Sequence, residues 1–356
     1  MSDPTRRLAP VVRLAPAKLN LTLAIVGRRP DGFHALHSVM VPLALADRMS
    51  LAVQADGDDS LHVTGFDPGP LADNLVVKAV AAARQVVKAA GGAAPPLAIR
   101  LEKRIPVAAG LAGGSSDAAA ALGGALDAWG TELEPEQRFA IAARLGSDVP
   151  FFLGTGAALV EGRGERVTPL HGINAGKPDA AEPPAAPGVL LVTPSVAAHT
   201  AAVFGAWADG AMGEPGVARR TSEHFASEFG SGLTVRAFLE RAAVLASAND
   251  LLPAAAAVVP GLVPLRRRLT RLLGRPIGLS GSGPTLWALY PSLDGAEAAA
   301  AAVREALREG TLASPGDDQP FVAATNGSWS PGLASEPSRS ASRTAAAAAS
   351  APSREG

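Results

Sequence analysis

Residues 97–123, LAIRLEKRIPVAAGLAGGSSDAAAALG, hold the pattern on which the fold turns. Over 97–105 apolar and polar residues alternate as in a strand, and the run ends at Pro106. Glycines and small residues follow, then Ser115, Ser116 and Asp117 lead into an alanine-rich helix expected over 116–128. Glycines let a backbone bend tightly and approach a ligand closely. A helix start presents unpaired N–H groups and the positive end of its dipole, an anion site, to which serine hydroxyls add a phosphate contact or a Mg²⁺ ligand. No Gly-Lys-Ser/Thr follows the glycines, so this is not a Walker A loop. Taken alone, a phosphate cradle and an ordinary loop capping a helix fit the segment equally.

Outward from this stretch the pattern stays mixed. Residues 19–25 alternate, with Leu19, Leu21, Leu23 and Ile25 on one face and Asn20, Thr22 and Ala24 on the other, which predicts a half-buried strand. Asp73-Asn74 precedes Leu75, Val76, Ala79, Val80, Ala83 and Val87 at helical spacing, so a capped helix starts there. Further helices are expected over 135–145, 236–247, 262–273 and 294–308, and short strands over 188–193, 285–290 and 320–325. Helices and strands do not alternate as regular βαβ units and no fixed-period repeat is present, so the fold class is α+β.

The chain has 356 residues, enough for two ordinary domains, and 47% of them are hydrophobic, which supplies a core and argues against a wholly disordered chain. A formal charge of −1 gives no basic field for nucleic acid or anionic lipid, so neither is an expected partner. With no cysteine there are no disulfides, thiol nucleophiles or zinc–thiolate sites. The chain lacks an apolar run of membrane-spanning length and an apolar signal stretch after MSDPTRRLAPVV, so a cytoplasmic location is expected. Composition shifts twice. Residues 172–188, GINAGKPDAAEPPAAPG, with four prolines and three glycines, read as an insertion or linker. From about Asn326 a Ser-, Ala-, Pro- and Gly-rich stretch reads as a disordered tail. The expected organisation is therefore a domain over 1–171, a linker over 172–188, a domain over 189–325 and a tail over 326–356.

Three other segments carry chemistry. Lys18 stands just before an apolar strand, where an unpartnered lysine is expensive to bury, and Asn20 lies on the face opposite the leucines. After the Asp31-Gly32 turn Phe33 and His34 arrive together; a solvated lysine and an incidental histidine fit these residues as well. Asp148, in RLGSDVPFFLGTG, enters the interior, where a carboxylate needs hydrogen bonds or a cation, or else supports the turn before Pro150. Residues 278–290, GLSGSGPTLWALY, form a second Gly/Ser loop feeding a strand.

In this order the segments resemble the GHMP kinase superfamily. Within it, APAKLNLTLAIVGRRPDGFHALHS at 15–38, DNLVVKA at 73–79, KRIPVAAGLAGGSSDAA at 103–119, LGSDVPFF at 145–152 and NDL at 249–251 are similar to the 4-diphosphocytidyl-2-C-methyl-D-erythritol kinase family. The resemblance spans about residues 12–325. It implies a two-domain GHMP kinase fold, with a ribosomal-S5-like N-terminal domain and a ferredoxin-like C-terminal domain. It also implies ATP with Mg²⁺, and phosphorylation of the substrate's 2-hydroxyl in the non-mevalonate route to isoprenoid precursors. The one expected partner is that small-molecule substrate, with the chain a monomer or weak homodimer.

Residue by residue, the resemblance makes Lys18 and Asp148 the catalytic pair. Pro106, Val107, Ala108, Ala109, Gly110, Leu111, Ala112, Gly113, Gly114, Ser115 and Ser116 become the ATP phosphate loop, with Ser116 a Mg²⁺ ligand. Asn20 and His34 would contact the substrate and Phe33 would stack on its cytosine, with Phe204 as the opposite face of that stack. Three features depart from the family pattern. Ala108, Ala109 and Ala112 replace loop glycines, which requires negative φ there and a slightly stiffer loop. Phe33 replaces a tyrosine, and the 172–188 stretch and the tail have no counterpart. The alternatives are another GHMP-family small-molecule kinase or its related decarboxylase, and a catalytically silent nucleotide-binding protein of the same fold.

Overall fold

The computed structural model describes residues 9–173, 186–210 and 216–329. Two sheets, each with helices packed on it, make the expected α+β architecture. The first runs β4-β5-β3-β6-β7, with β1 and β2 also paired to β3. Its strands are β1 (Val11–Asn20), β2 (Ala24–Arg28), β3 (His34–Val53), β4 (Ser60–Gly65), β5 (Leu97–Lys103), β6 (Ala158–Gly162) and β7 (Arg166–Pro169). Only β4 and β5 pair in parallel; the others are antiparallel. Helices α1 (Leu75–Ala89), α2 (Gly113–Trp129) and α3 (Pro135–Leu145) belong to this half. The second sheet runs β11-β8-β10-β9, from β8 (Gly188–Thr193), β9 (Gly278–Leu279), β10 (Leu286–Tyr290) and β11 (Phe321–Asn326). Its helices are α4 (Thr200–Ala208), α5 (Val217–Ser231), α6 (Val235–Glu240), α7 (Ala242–Leu245), α8 (Leu252–Val258), α9 (Leu262–Leu273) and α10 (Leu293–Arg308). Among the described residues no helix is long and apolar enough to cross a membrane.

Local chemistry explains where elements begin. The Asn74 side chain accepts the Val76 N–H at 2.9 Å and starts α1, whose Val76, Ala79, Val80, Ala83 and Val87 are buried as the spacing predicts. The α3 start carries a capping box between Glu134 and Gln137 with Pro135 in its first turn. Three cores result. Met49, Leu51 and Ile99 pack with Val76 and Val80; Leu190, Val192 and Leu286 pack with Leu265 and Val303. A third, with Leu19, Val41 and Ile105 beside Leu191, Phe229 and Trp287, joins the two halves.

Four expectations need correction. Asn20, Thr22 and Ala24 are as buried as the leucines beside them, so residues 19–24 are covered on both faces. The polar atoms are satisfied instead of solvated: Asn20 Nδ2 donates to Ser38 Oγ at 2.8 Å, and the Thr22 and Ser222 hydroxyls bond at 2.7 Å. The helix expected over 236–247 breaks at Arg241 into α6 and α7. The low-complexity reading begins too early, because Asn326 lies in β11 and Trp329 is buried against Phe238 with its indole N–H on Pro187 O. The rest of that stretch, and 174–185 of the expected linker, fall outside the described residues. Finally, Ala108 and Ala112 have φ of 52° and 55°. Their backbone keeps the left-handed path despite the methyl groups, at about 1–2 kcal/mol of strain per residue.

Candidate active site

A cavity of about 840 Å³ opens between the two halves. Lys18, Asn20, Asp148, Phe33, His34 and Phe204 line it, as do Pro106 to Gly110 and Ala112 to Ser115. The resemblance thus names residues that the fold brings to one place. Two loop members do not line it. Leu111 is buried and its carbonyl accepts the Lys18 backbone N–H at 3.0 Å. Ser116 lines a separate, smaller cavity beside β1 and α3, and its buried Oγ has no hydrogen-bond partner among the described residues. Successive helical residues point about 100° apart, so Ser115 takes the position facing the main cavity and Ser116 faces away from it.

Lys18 sits just past an irregularity in the β1–β3 pairing. The register shifts between Pro16, opposite Ala46, and Lys18, opposite Pro42, so the extra residues lie on β3 and the ladder is locally disrupted beside Lys18. Its ammonium donates to Asn20 Oδ1 at 2.6 Å and to Gly110 O at 2.8 Å, and stands 3.8 Å from Asp148 Oδ2. Burial pushes the Lys18 pKa below the ordinary lysine value, while Asp148 opposes that shift. Asn20 is thus a holder of the lysine, fixed in turn by Ser38.

The phosphate loop is locked from the far side by the second Gly/Ser loop. Gly110 has φ +76°, and a Cβ there would lie 2.3 Å from Ser280 O. Ser280 Oγ donates to Gly110 O at 3.0 Å, and the Thr285 N–H to Ala109 O. Asn249, of the NDL segment, holds this second loop by donating to Leu279 O and Gly281 O. Gly281 passes so close that a Cβ would lie 3.0 Å from Lys18 Nζ.

Sequence reasoning missed a buried triad below the loop. Lys103 Nζ pairs with Asp47 and, at 2.7 Å, with Asp117. Burial pushes the Asp117 carboxyl up to about 7, with Lys103 pulling it down and Asp47 pushing it further up. Asp117 Oδ1 is buried without a partner among the described residues, and both Asp117 and Lys103 line the main cavity. The KRIP and SSDA segments contain these residues, but nothing local announces that Asp47, in the unforecast strand β3, joins them.

On the other side of the cavity, Phe33 is half exposed, with the Arg163 guanidinium 5.0 Å from its ring centroid. His34 stacks on Phe204 with centroids 5.3 Å apart and meets the edge of Trp207 at 5.1 Å. Phe204 therefore faces His34 and not Phe33. Burial, and then the Arg28 charge, lower the His34 pKa, so the imidazole is neutral at pH 7.

Both halves of the chain are similar to known proteins. Residues 74–156 match the GHMP kinases N terminal domain and residues 234–309 the GHMP kinases C terminal domain. The 4-diphosphocytidyl-2-C-methyl-D-erythritol kinase of Pelotomaculum thermopropionicum is 37% identical over 83% of this chain and 94% of its own. The chain belongs to the 4-diphosphocytidyl-2-C-methyl-D-erythritol kinase family. Another member of that kinase family, from Methylorubrum extorquens, is 39% identical over 82% of this chain and 94% of its own. A crystal structure of 4-(cytidine 5'-diphospho)-2C-methyl-D-erythritol kinase is 33% identical, with a TM-score of 0.60, covering 89% of this chain and all but 1% of that one. Homoserine kinase from Cytophaga hutchinsonii, 14% identical at TM-score 0.60, shares the fold.

Proposed function

We propose that this member of the kinase family transfers the γ-phosphoryl group of ATP to the 2-hydroxyl of 4-diphosphocytidyl-2-C-methyl-D-erythritol. The observation that carries the reading is the approach of Lys18 and Asp148 across the cavity, between the phosphate loop and the Phe33–His34 turn. Asp148 accepts the hydroxyl proton as the acceptor oxygen bonds to the γ-phosphorus and the bond to the departing ADP breaks. Such general-base help is worth about 10²–10⁴-fold. Lys18, held by Asn20 and Gly110, offsets charge on the transferring group. The loop N–H groups and the start of α2 hold the triphosphate. Phosphoryl transfer asks for positioning and charge neutralisation more than for covalent help, which suits a site built this way.

The residues present fit Mg²⁺. Asp117 Oδ1 is a buried carboxylate oxygen at the cavity wall, partnerless among the described residues, and the Ser115 hydroxyl lies two residues away at the helix start. Both are hard oxygen donors of the kind this ion takes, alongside water and substrate phosphates. We assign them as its protein contacts in place of Ser116. When bound, the ion neutralises phosphate charge.

The test is an ADP-release assay with the purified chain, ATP, Mg²⁺ and a panel of acceptors. Turnover with the cytidyl substrate, and none with homoserine or mevalonate, is expected. Turnover with one of those alcohols instead would assign the chain to another branch of the superfamily.

A further inference from the structure

The turn joining β6 to β7 touches both sides of the reaction. Gly162 and Gly164 flank Arg163 with φ of +70° and +125°, and a Cβ on Gly164 would lie 2.0 Å from Ser147 O, next to Asp148. The turn therefore presses on backbone beside the base. Arg163 reaches the other way. Its Nη2 donates to Ala143 O at 2.9 Å, which anchors the guanidinium over the Phe33 ring. A closed set of bonds ties the two turns together. The Arg163 backbone N–H donates to Glu165, Arg29 Nη1 donates to Glu165 at 2.9 Å, Arg29 Nε to Asp31 at 3.1 Å, and the Phe33 N–H to Asp31 at 3.2 Å. Against its desolvation, the Phe33 N–H and Arg29 hold the Asp31 carboxyl below its ordinary pKa, so the set stays charged at neutral pH.

An aromatic ring that is 49% exposed would ordinarily sample several rotamers, and ordering it on binding would weaken the complex. Here one face is already taken by a planar cation. Arginine stacks on rings in this way and lysine does so less well. We propose that Arg163 is a positioning residue for the acceptor substrate: it closes the back of Phe33, leaves the other face for the pyrimidine, and registers that face against Asp148 through the β6–β7 turn. The inference rests on the acceptor assigned above.

The test is steady-state kinetics of Arg163→Ala, Phe33→Ala and the double variant, varying each substrate in turn. Arg163→Ala should raise KM for the cytidyl substrate by about 2- to 30-fold, the span of a cation–π contact, and leave KM for ATP and kcat within about twofold. In the Phe33→Ala background the same substitution should change nothing further, because its effect runs through the ring. An unchanged KM in Arg163→Ala, or an equal rise in both backgrounds, overturns the proposal; the second result means that Arg163 binds substrate directly. If Phe33→Ala itself leaves the cytidyl KM unaltered, the base-stacking assignment fails first. Arg163→Lys keeps the charge and serves if the alanine variant melts early; it should show a smaller rise, also absent without Phe33.

Discussion

The two sides of the cavity are built from different material. The side proposed for the phosphate donor is a loop of small residues, shaped by glycines, by two left-handed alanines and by a second loop bonded to Gly110. The acceptor side presents larger side chains, among them a half-exposed phenylalanine, a histidine and an arginine, on turns fixed by ion pairs. A triphosphate offers the same repeated charge wherever it is bound, so a rigid N–H cradle suffices. A pyrimidine and a branched polyol need faces and edges, which only side chains supply. Lys18 and Asp148 stand at the seam, 3.8 Å apart.

The largest effect is expected at the seam. Asp148→Asn keeps the shape and removes the base, so kcat should fall about 10²-fold or more, with ATP affinity little changed. Lys18→Met should fall comparably, and the double variant should be far from additive. Near-wild-type turnover in either single variant would remove that residue from the chemistry and leave the two sides without a junction.

Two substitutions in the loop should move stability in opposite directions, which sharpens the claim that the donor side is shaped by its backbone. Gly110→Ala brings a methyl into Ser280 O at a left-handed φ and should lower stability by about 1–3 kcal/mol from strain alone. Ala112→Gly should raise stability. Relief of about 1–2 kcal/mol of left-handed strain exceeds the roughly 0.4–1 kcal/mol lost through a freer unfolded chain. Denaturant midpoints at unchanged m-value check both, and a destabilised Ala112→Gly would mean that the Ala112 methyl contributes packing that outweighs its strain.

A smaller effect concerns pH. Burial lowers the Lys18 pKa, so the ammonium loses its proton at a lower pH than an ordinary lysine at about 10.4. The alkaline limb of kcat/KM should therefore fall below that value, and in Lys18→Arg it should move upward whatever the residual rate. A limb at or above the ordinary lysine range in the parent enzyme contradicts the buried, charged lysine.

Much of the frame was legible because it depends on local signals. Asn74 caps α1, and the periodic runs at 135–145 and 262–273 become helices with the expected bounds. What escaped depends on distant packing. Strand β3, HALHSVMVPLALADRMSLAV, alternates poorly because its middle is covered on both faces and Asp47 is buried for the sake of Lys103, 56 residues away. Arg163 gave no sign at all, since its partner is a ring 130 positions earlier. The site's members were named by motif, and the motif could not tell Ser115 from Ser116, because which of two neighbours faces a cavity is settled by the rotation of α2. It also could not foresee that alanine would keep a glycine's backbone path in the loop.

The division of the cavity can be tested in one steady-state experiment that measures both KM values for Phe33→Ala and Ser115→Ala. Phe33→Ala should raise KM for the cytidyl substrate by about 5- to 150-fold, the range for loss of a base stack, and leave that for ATP nearly unchanged. Ser115→Ala should do the reverse, raising KM for MgATP by about 2- to 10-fold through one lost hydrogen bond. If instead Phe33→Ala weakens ATP while the cytidyl substrate binds as before, the assignment of the two sides is reversed.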